Sequence, residues 1–517
     1  MSVSSLIYFI FLAFALLLYY VLPKRWQWKL LLIGSGIFFL CAGNVYTILY
    51  LLASIIVTTY TAKRITQLKA AADADPAQQT KKQKNTLLIG ILVNVGILAL
   101  LKYSNFVINN TNSVLGLFGV TRLIPQLSLA APLGLSFYTL QIVGYLLDVY
   151  WGIVECQPSY AKTALFISYF PQLTSGPIAR YEEMKDQLYA EHAYDEQQIK
   201  LGLERILYGL FKKLIISGRA GIIVDTIYGN PESYPGLYVW LAAGLFMLQL
   251  YTDFSGCMDI IIGTSQCFGI RLPENFRTPF FSRSIQEFWQ RWHITLGAWL
   301  KDYILYIVLR TRLWKKLKTW CKGRMSKKLA RQVPAWLSML VVWLLIGLWH
   351  GGKWKYILGQ GLWYWALIVL GQACEPGFKK IIAVLRINTK TFSWHLFQSL
   401  RVYFLVCFGN MFFRIESLGE TLREMKNGIS VFNPQIFFDG SLYQLGLDEK
   451  NLWLLVISLL ILLGMSAMQE TESIRARLAR QNFLFRRAVL MLTLFAIIIL
   501  GTWGPGYDAQ AFIYAGF

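Results

Sequence analysis

The length of the apolar runs constrains this chain more than any other feature. Leu6 to Leu22, Leu30 to Ile56 and Leu452 to Met468 are nearly free of charge. A run of roughly 17 to 25 such residues reads as a bilayer-spanning helix, because lipid offers backbone polar groups no partner outside the segment itself. The 517 residues are 56% hydrophobic and 15% charged. A soluble chain carries roughly 25% charged residues. The chain therefore reads as an all-α polytopic membrane protein.

A net charge of +22 could indicate nucleic acid, but its placement argues otherwise. Basic residues fill the gaps between apolar runs: ten Lys or Arg and no acid from Arg310 to Arg331, six from Lys63 to Lys84, and five from Arg475 to Arg487. This is the pattern of cytoplasmic loops facing an anionic leaflet. No nucleic-acid partner is expected. Seven scattered Cys without a C-x-x-C pair indicate neither zinc nor a disulfide framework, so no metal is expected. The N-terminal run is too long for a signal peptide, lacks a basic n-region, and runs into Leu22-Pro23-Lys24-Arg25 without a small-residue cleavage site. It is expected to be the first span, with its N-terminus outside.

About eleven spans with one or two re-entrant segments are expected. Asn44 breaks the stretch between the first two basic loops, and Arg64 to Asn85 reads as a flexible cytoplasmic linker. Further spans are expected to start near Thr86, Asn105, Pro132, Gly202 and Leu237. Pro334 to His350 then climbs outward, Trp354 to Gln372 returns, and Trp394 to Phe412 exits. Glu416 to Lys450, with six acids against three bases, is expected outside. Leu452 to Met468 enters and Ala488 to Trp503 exits. The expected division is a core of residues 1–415, an extracellular amphipathic segment 416–451, and a two-helix extension 452–517 with an aromatic tail.

Two of the four His stand in unusual places. His293 lies in Glu287-Phe288-Trp289-Gln290-Arg291-Trp292-His293-Ile294-Thr295-Leu296. That segment is too polar to span and too apolar for an ordinary loop, so it is expected at the inner interface or dipping into the core. His350 ends the outward-climbing helix in Gly347-Leu348-Trp349-His350-Gly351-Gly352. Ionisable residues at membrane depth face cavities or partners, which makes function the default reading, and Gly351-Gly352 suggest a close backbone approach. The alternative is an interfacial or hydrogen-bonded core His, and that is the reading taken for His192 and His395. A neutral imidazole at that depth could take a proton from an acceptor hydroxyl. Asp253 and Asp259 are expected to form structural ion pairs, with Arg291 or Lys301 as partners, or to line a polar path. Glu274-Asn275 reads equally as a turn, and Pro171 and Pro177 as breaks in a re-entrant segment.

The same residues carry a resemblance. The blocks Phe170-Pro171-Gln172-Leu173-Thr174-Ser175-Gly176-Pro177 running through Tyr181, Tyr251-Thr252-Asp253-Phe254-Ser255-Gly256 running through Ile260, Pro273-Glu274-Asn275-Phe276 running through Tyr303, and Gly347 to Gly351, with Pro132 to Tyr138 fitting as well, resemble the membrane-bound O-acyltransferase superfamily, in its bacterial alginate O-acetyltransferase branch. The likeness extends over roughly the first 420 residues, and the blocks are specific in combination. It implies re-entrant helices and a ring of tilted spans around a tunnel, joining a cytoplasmic donor site to an extracellular acceptor funnel in the bacterial inner membrane. It makes His350 the catalytic His and His293 a second signature residue on the donor side. Arg291, Trp292, Asp253, Asn275 and Trp349 would line the tunnel or donor site. After Tyr306 the chain departs from the branch, running Ile-Val-Leu-Arg-Thr-Arg where a Pro-Leu-Gly-Gly turn is usual, which leaves the acceptor less constrained than the reaction. The tail Phe512 to Phe517 resembles aromatic motifs in which a Tyr approaches the site from outside, so Tyr514 is a candidate acyl relay.

The expected activity is transfer of an acyl group, acetyl by expectation, from a cytoplasmic thioester to hydroxyls of an extracytoplasmic glycan. Acetyl-CoA is the expected donor, no bound cofactor is expected, and an extracytoplasmic accessory acetyltransferase or glycan-binding protein is the expected partner. A D-alanyl transferase fed by a carrier protein, or a glycan flippase without chemistry, are the alternatives.

Overall fold

A computed structural model describes residues 2–71, 75–120 and 123–503. The fold is all-α: the only strand pairing among the described residues is one antiparallel bridge between Phe276 and Trp292. The chain divides into two compact units. The first holds described residues of 2–206 with 257–273, and the second holds 207–256 with 274–503.

In the first unit, α1 (Leu6–Val21) and α2 (Gln27–Ala42) are separated at Pro23, which cannot donate to a helix interior. The next break falls at Gly43-Asn44, and the Asn44 side chain accepts from Tyr46 N–H at 3.0 Å. It opens α3 (Ile48–Ala70), which is followed by α4 (Pro76–Leu117). Here the structure departs from expectation: residues 64–85 are not a flexible linker but mostly helix. Ala, Lys and Gln favour helix, and the Asp75 carboxylate caps Ala77 N–H at 3.1 Å with Pro76 at the first position. The two span starts expected near Thr86 and Asn105 also merge into this one 42-residue helix, about 63 Å long. Then come α5 (Leu135–Trp151), α6 (Tyr160–Ser168), α7 (Phe170–Leu173) and α8 (Tyr181–Leu188). The four-residue α7, with Pro171 near its start and irregular chain through Pro177, is the break that the two prolines implied.

Two helices divide between the units: α9 (Glu196–Leu210) begins in the first and ends in the second, and, after α10 (Gly218–Gly229), α11 (Leu237–Cys267) begins in the second and ends in the first. Where α9 and α11 cross in the first unit they touch backbone to backbone. A Cβ on Gly202 would fall 2.7 Å from Gly263 O, and one on Gly263 would fall 2.6 Å from Gly202 O. Small residues permit such approaches between membrane helices.

The second unit continues with α12 (Ile285–Arg291), α13 (Ile294–Leu300), α14 (Tyr306–Arg310), the basic α15 (Arg312–Arg324) and α16 (Lys327–His350). After these come α17 (Trp354–Tyr356), α18 (Trp363–Ala373), α19 (Glu375–Val384), α20 (Phe392–Arg414), α21 (Leu418–Ser430), α22 (Glu449–Gln469), α23 (Ile474–Ala479) and α24 (Phe483–Leu500). Three π-helical segments, Phe211–Ser217, Lys301–Leu305 and Ile357–Leu362, lie in this unit. Such segments are rare and cluster at functional sites. The last of them is wedged between neighbours, and a Cβ on Gly361 would sit 2.8 Å from Trp343 O.

Among the described residues, seven helices are long and apolar enough to cross a bilayer, and the pair Trp354–Ala373 and Glu375–Val384, bent by 56°, makes an eighth. That is fewer than the eleven expected. Helices α1, α2 and α5 have 16, 16 and 17 residues and rise only about 24 to 26 Å, less than a hydrocarbon core of about 30 Å. Side chains such as Ile10, Phe14 and Leu492, 61 to 68% exposed on apolar helices, suit contact with lipid rather than water.

Candidate active site

The second unit brings the two singled-out histidines into ring contact with one tryptophan. His350 is the last residue of α16 and is 4% exposed. Its ring meets the Trp349 ring edge-on at 5.1 Å and the Phe413 ring of α20 at 5.5 Å. His293 meets the same Trp349 ring, with centroids 5.9 Å apart, and its second aromatic neighbour is Phe254 of α11 at 5.0 Å.

His293 owes its position to an unusual backbone. It sits between α12 and α13 with φ 47° and ψ 51°, in the left-handed region, which is sparsely populated by residues other than Gly, Asn and Asp. Asn275 holds it there. The Asn275 side-chain oxygen accepts from Thr295 N–H at 3.1 Å and from the Thr295 hydroxyl at 2.9 Å, and lies 3.2 Å from His293 Nδ1. The backbone closes the same lobe through Ile294 N–H to Asn275 O at 3.0 Å and Arg277 N–H to Arg291 O at 2.9 Å. Because the Thr295 N–H fixes Asn275 Oδ1 as an acceptor, the His293 contact requires Nδ1 to carry the proton, and the neutral ring presents Nε2 as its acceptor atom. Burial pushes the His293 imidazole down to about 3, so the neutral form prevails at physiological pH. Of the two readings open for Glu274-Asn275, the turn is not found: Asn275, fully buried, is the fulcrum of the His293 lobe.

The chain around His350 is braced by close contacts. A Cβ on Gly347 would lie 2.7 Å from Tyr356 O, and one on Gly351 would lie 2.7 Å from the Tyr356 ring. Lys355, 6% exposed, donates to Ile415 O at 2.6 Å and so caps the end of α20 beside Phe413. One turn back on α20, Asn410 accepts from Gln360 at 3.1 Å. This places a buried amide pair on the elements that carry the His350 neighbours.

The two aspartates form ion pairs, as expected, but with other partners than Arg291 or Lys301. Asp253 pairs with Lys213 on the π segment Phe211–Ser217, and Asp259, in the first unit, pairs with Arg205 at 2.9 Å. Lys212 donates to Ser255 at 2.9 Å. Arg291 instead binds Glu287 at 2.8 Å and Glu470 at 2.5 Å. Trp292 is buried, stacked on Phe288 at 5.5 Å, and bridged to Phe276. His192 takes the structural role expected of it, with Tyr19 Oη 2.8 Å from its Nδ1. Tyr514 lies outside the described residues. Among the described residues no group of three His, Cys, Asp or Glu is arranged to hold a metal.

Sequence reading missed Lys212, Lys213, Lys355, Gln360, Asn410 and Glu470. The lysine pair carried a usable signal, since Lys212 and Lys213 stand side by side in an apolar stretch where charge is expensive.

Residues 154–413 match the model of MBOAT, the membrane-bound O-acyltransferase family. The chain is 32% identical over 415 residues to the probable alginate O-acetylase AlgI of Pseudomonas syringae pv. tomato, covering 80% of this chain and 72% of that one. It is 29% identical over 468 residues to the peptidoglycan O-acetyltransferase of Helicobacter pylori, covering 83% and 80%. A teichoic acid D-alanyltransferase of Bacillus subtilis is 29% identical over 270 residues, covering 50% and 62%.

Proposed function

The chain belongs to the membrane-bound O-acyltransferase family and is a multi-pass membrane O-acyltransferase; from that premise we propose that it transfers an acetyl group from a cytoplasmic thioester, acetyl-CoA, to hydroxyls of an extracytoplasmic glycan across the bacterial inner membrane. The observation that carries the proposal is the pairing of two buried histidines about Trp349.

In this reading His350 is the general base. It takes the proton of the acceptor hydroxyl while the oxygen attacks the thioester carbonyl. The C–S bond breaks, an O-acyl ester forms, and the proton passes to the departing thiolate. His293 sits on the donor side. With Nδ1–H committed to Asn275, its Nε2 suits accepting a hydrogen bond from an N–H of the donor's arm, which orients the thioester toward His350. Arg291, Trp292, Asp253 and Trp349 frame that path. Direction is supported by loop charge: α16 leaves the Arg310 to Arg331 loop, which the positive-inside rule assigns to the cytoplasm. The glycan acceptor is supported by the printed activities of the alginate and peptidoglycan relatives. An extracytoplasmic accessory protein completing the transfer, and acyl relay through Tyr514, are parts of the same proposal.

The test is sided. Purified protein is reconstituted in vesicles with an acceptor glycan trapped inside and labelled acetyl-CoA added outside, and the label is followed as alkali-labile ester. Label on the trapped glycan supports the reading. Thioester consumption with ester only on glycan added outside would refute the direction, and turnover only with a D-alanyl carrier thioester would refute the donor.

A further inference from the structure

Only three residues other than Gly adopt positive φ among the described residues: Thr278, His293 and Arg386. Two of them share one lobe, in which residues 275–282 lie against 291–295. Thr278 has φ 42° and ψ 57°, a conformation particularly unfavourable for a β-branched residue. Such a conformation persists only when its surroundings over-determine it.

What surrounds Thr278 comes from the far end of the chain. The Thr278 hydroxyl donates to Glu470 Oε1. Arg291 Nη1 donates to the same Glu470 oxygen at 2.5 Å, to the Thr278 hydroxyl at 3.2 Å and toward Thr278 O at 3.4 Å. Arg291 Nη2 reaches Glu287 at 2.8 Å, and Glu287 accepts from Arg283 N–H at 2.8 Å. Glu470 therefore fixes both ends of the lobe, the strained Thr278 and the Arg291 that lies two residues before His293. It is the residue just after α22, beyond residues 154–413 that match the family. Burial alone would raise the Glu470 pKa, but hydrogen bonds from Arg291 and Thr278 outweigh it and hold the carboxyl below its usual range. The C-terminal segment is tied in twice more: Arg219 donates to Leu500 O at 2.7 Å, and Thr502 N–H and hydroxyl both reach Leu214 O, at 2.9 and 2.8 Å.

We propose that Glu470 is a positioning residue for acyl transfer: the carboxylate that the C-terminal extension supplies locks Thr278 in its left-handed conformation and thereby sets the orientation of Arg291 and His293. The proposal rests on the reading of His293 as a donor-side residue. It assigns the extension a part in the site rather than only in membrane anchoring.

The test is a suppressor experiment on the full-length protein in vesicles, with kcat and KM for acetyl-CoA measured per folded molecule. A displaced lobe should act on orientation, so Glu470→Ala should lower kcat by roughly ten- to a hundredfold with a small change in KM. Glu470→Gln, which still accepts from both donors, should retain much of the activity. Glycine adopts positive φ without penalty, so adding Thr278→Gly to Glu470→Ala should restore most of the lost kcat. Hydrogen exchange of the peptide spanning residues 276–295, measured without any donor, should quicken in Glu470→Ala and slow again in the double variant. Normal kcat and exchange in Glu470→Ala, or a defect that Thr278→Gly does not suppress, would overturn the proposal. If the wild type fails to turn over acetyl-CoA, the donor assignment falls, and the exchange measurement still decides the positioning role.

Discussion

Replacing Asn275 with Ala tests how the His293 lobe is built. One oxygen serves the Thr295 N–H, the Thr295 hydroxyl and the His293 ring. Removing it strands the N–H and the hydroxyl inside the protein, at roughly 1–3 kcal/mol for each donor left unsatisfied. It also releases His293 from a left-handed conformation that costs about 1–2 kcal/mol. Because the hydroxyl can rotate toward another acceptor and opening relieves that strain, the two stranded donors, about 2–6 kcal/mol together, leave a net local cost of about 2–4 kcal/mol. That is enough to open the lobe in a large fraction of molecules and lower kcat by about a hundredfold. Asn275→Asp keeps the acceptor for Thr295, so it should fold like the wild type. Its charge 3.2 Å from the imidazole would favour protonation of His293 and shift the pH profile. The assay is kcat with labelled acetyl-CoA beside thermal unfolding in the same detergent. An Asn275→Ala protein within about tenfold of wild-type kcat, a difference under 1.4 kcal/mol, with unchanged unfolding, would refute the fulcrum role.

Three further outcomes are expected. Asp253→Ala removes the carboxylate paired with the buried Lys213 of the π segment and should cost about 3–5 kcal/mol, read as a fall in unfolding temperature, while Lys213→Met combined with Asp253→Leu should recover most of it. Burial lowers the His293 pKa from 6.5 to about 3, so its contribution to stability is complete above about pH 6.5 and is lost as pH falls below that. Wild type should therefore lose more unfolding temperature between pH 7 and pH 5 than His293→Gln, and equal losses would contradict the buried neutral ring. Gly361→Val would drive a side chain into Trp343 O, 2.8 Å from the Cβ position, at about 1–3 kcal/mol, and should reduce activity by separating the π segment from α16.

What could be read beforehand follows from what each feature depends on. Helices α20 and α22 were legible within three residues, and α16 and α24 were located although they begin seven and five residues earlier than expected, because run length and flanking charge are local properties. Both histidines were legible too, since an imidazole in apolar surroundings stands out within a single window. Asn275 was named only as a lining residue: its part in holding His293 and Thr295 exists only once residues 275–282 fold back on 291–295, a pairing that no periodicity announces. The partners of Asp253 were missed for a related reason. Arg291 and Lys301 stood within the motif blocks, whereas Lys213 lay outside them and reaches Asp253 through packing of a π segment onto α11. Helix α4 was divided in two, with separate span starts expected near Thr86 and Asn105, although Asn105, Asn109, Asn110 and Asn112 all lie within it. In the fold they turn to local partners, with Asn105 bonding Leu127 N–H and O at 2.8 and 2.9 Å, and the helix runs on.

The central claim is that His350 removes the acceptor proton in a transfer whose thioester is held on the His293 side. Single-turnover acetyl transfer to a glycan hydroxyl, by wild type, His350→Ala and His293→Ala in vesicles, tests it most directly. His350→Ala should still bind acetyl-CoA with near wild-type affinity yet form ester at least about a hundredfold more slowly, whereas His293→Ala should weaken donor use. Ester formation at the wild-type rate in His350→Ala would contradict the account.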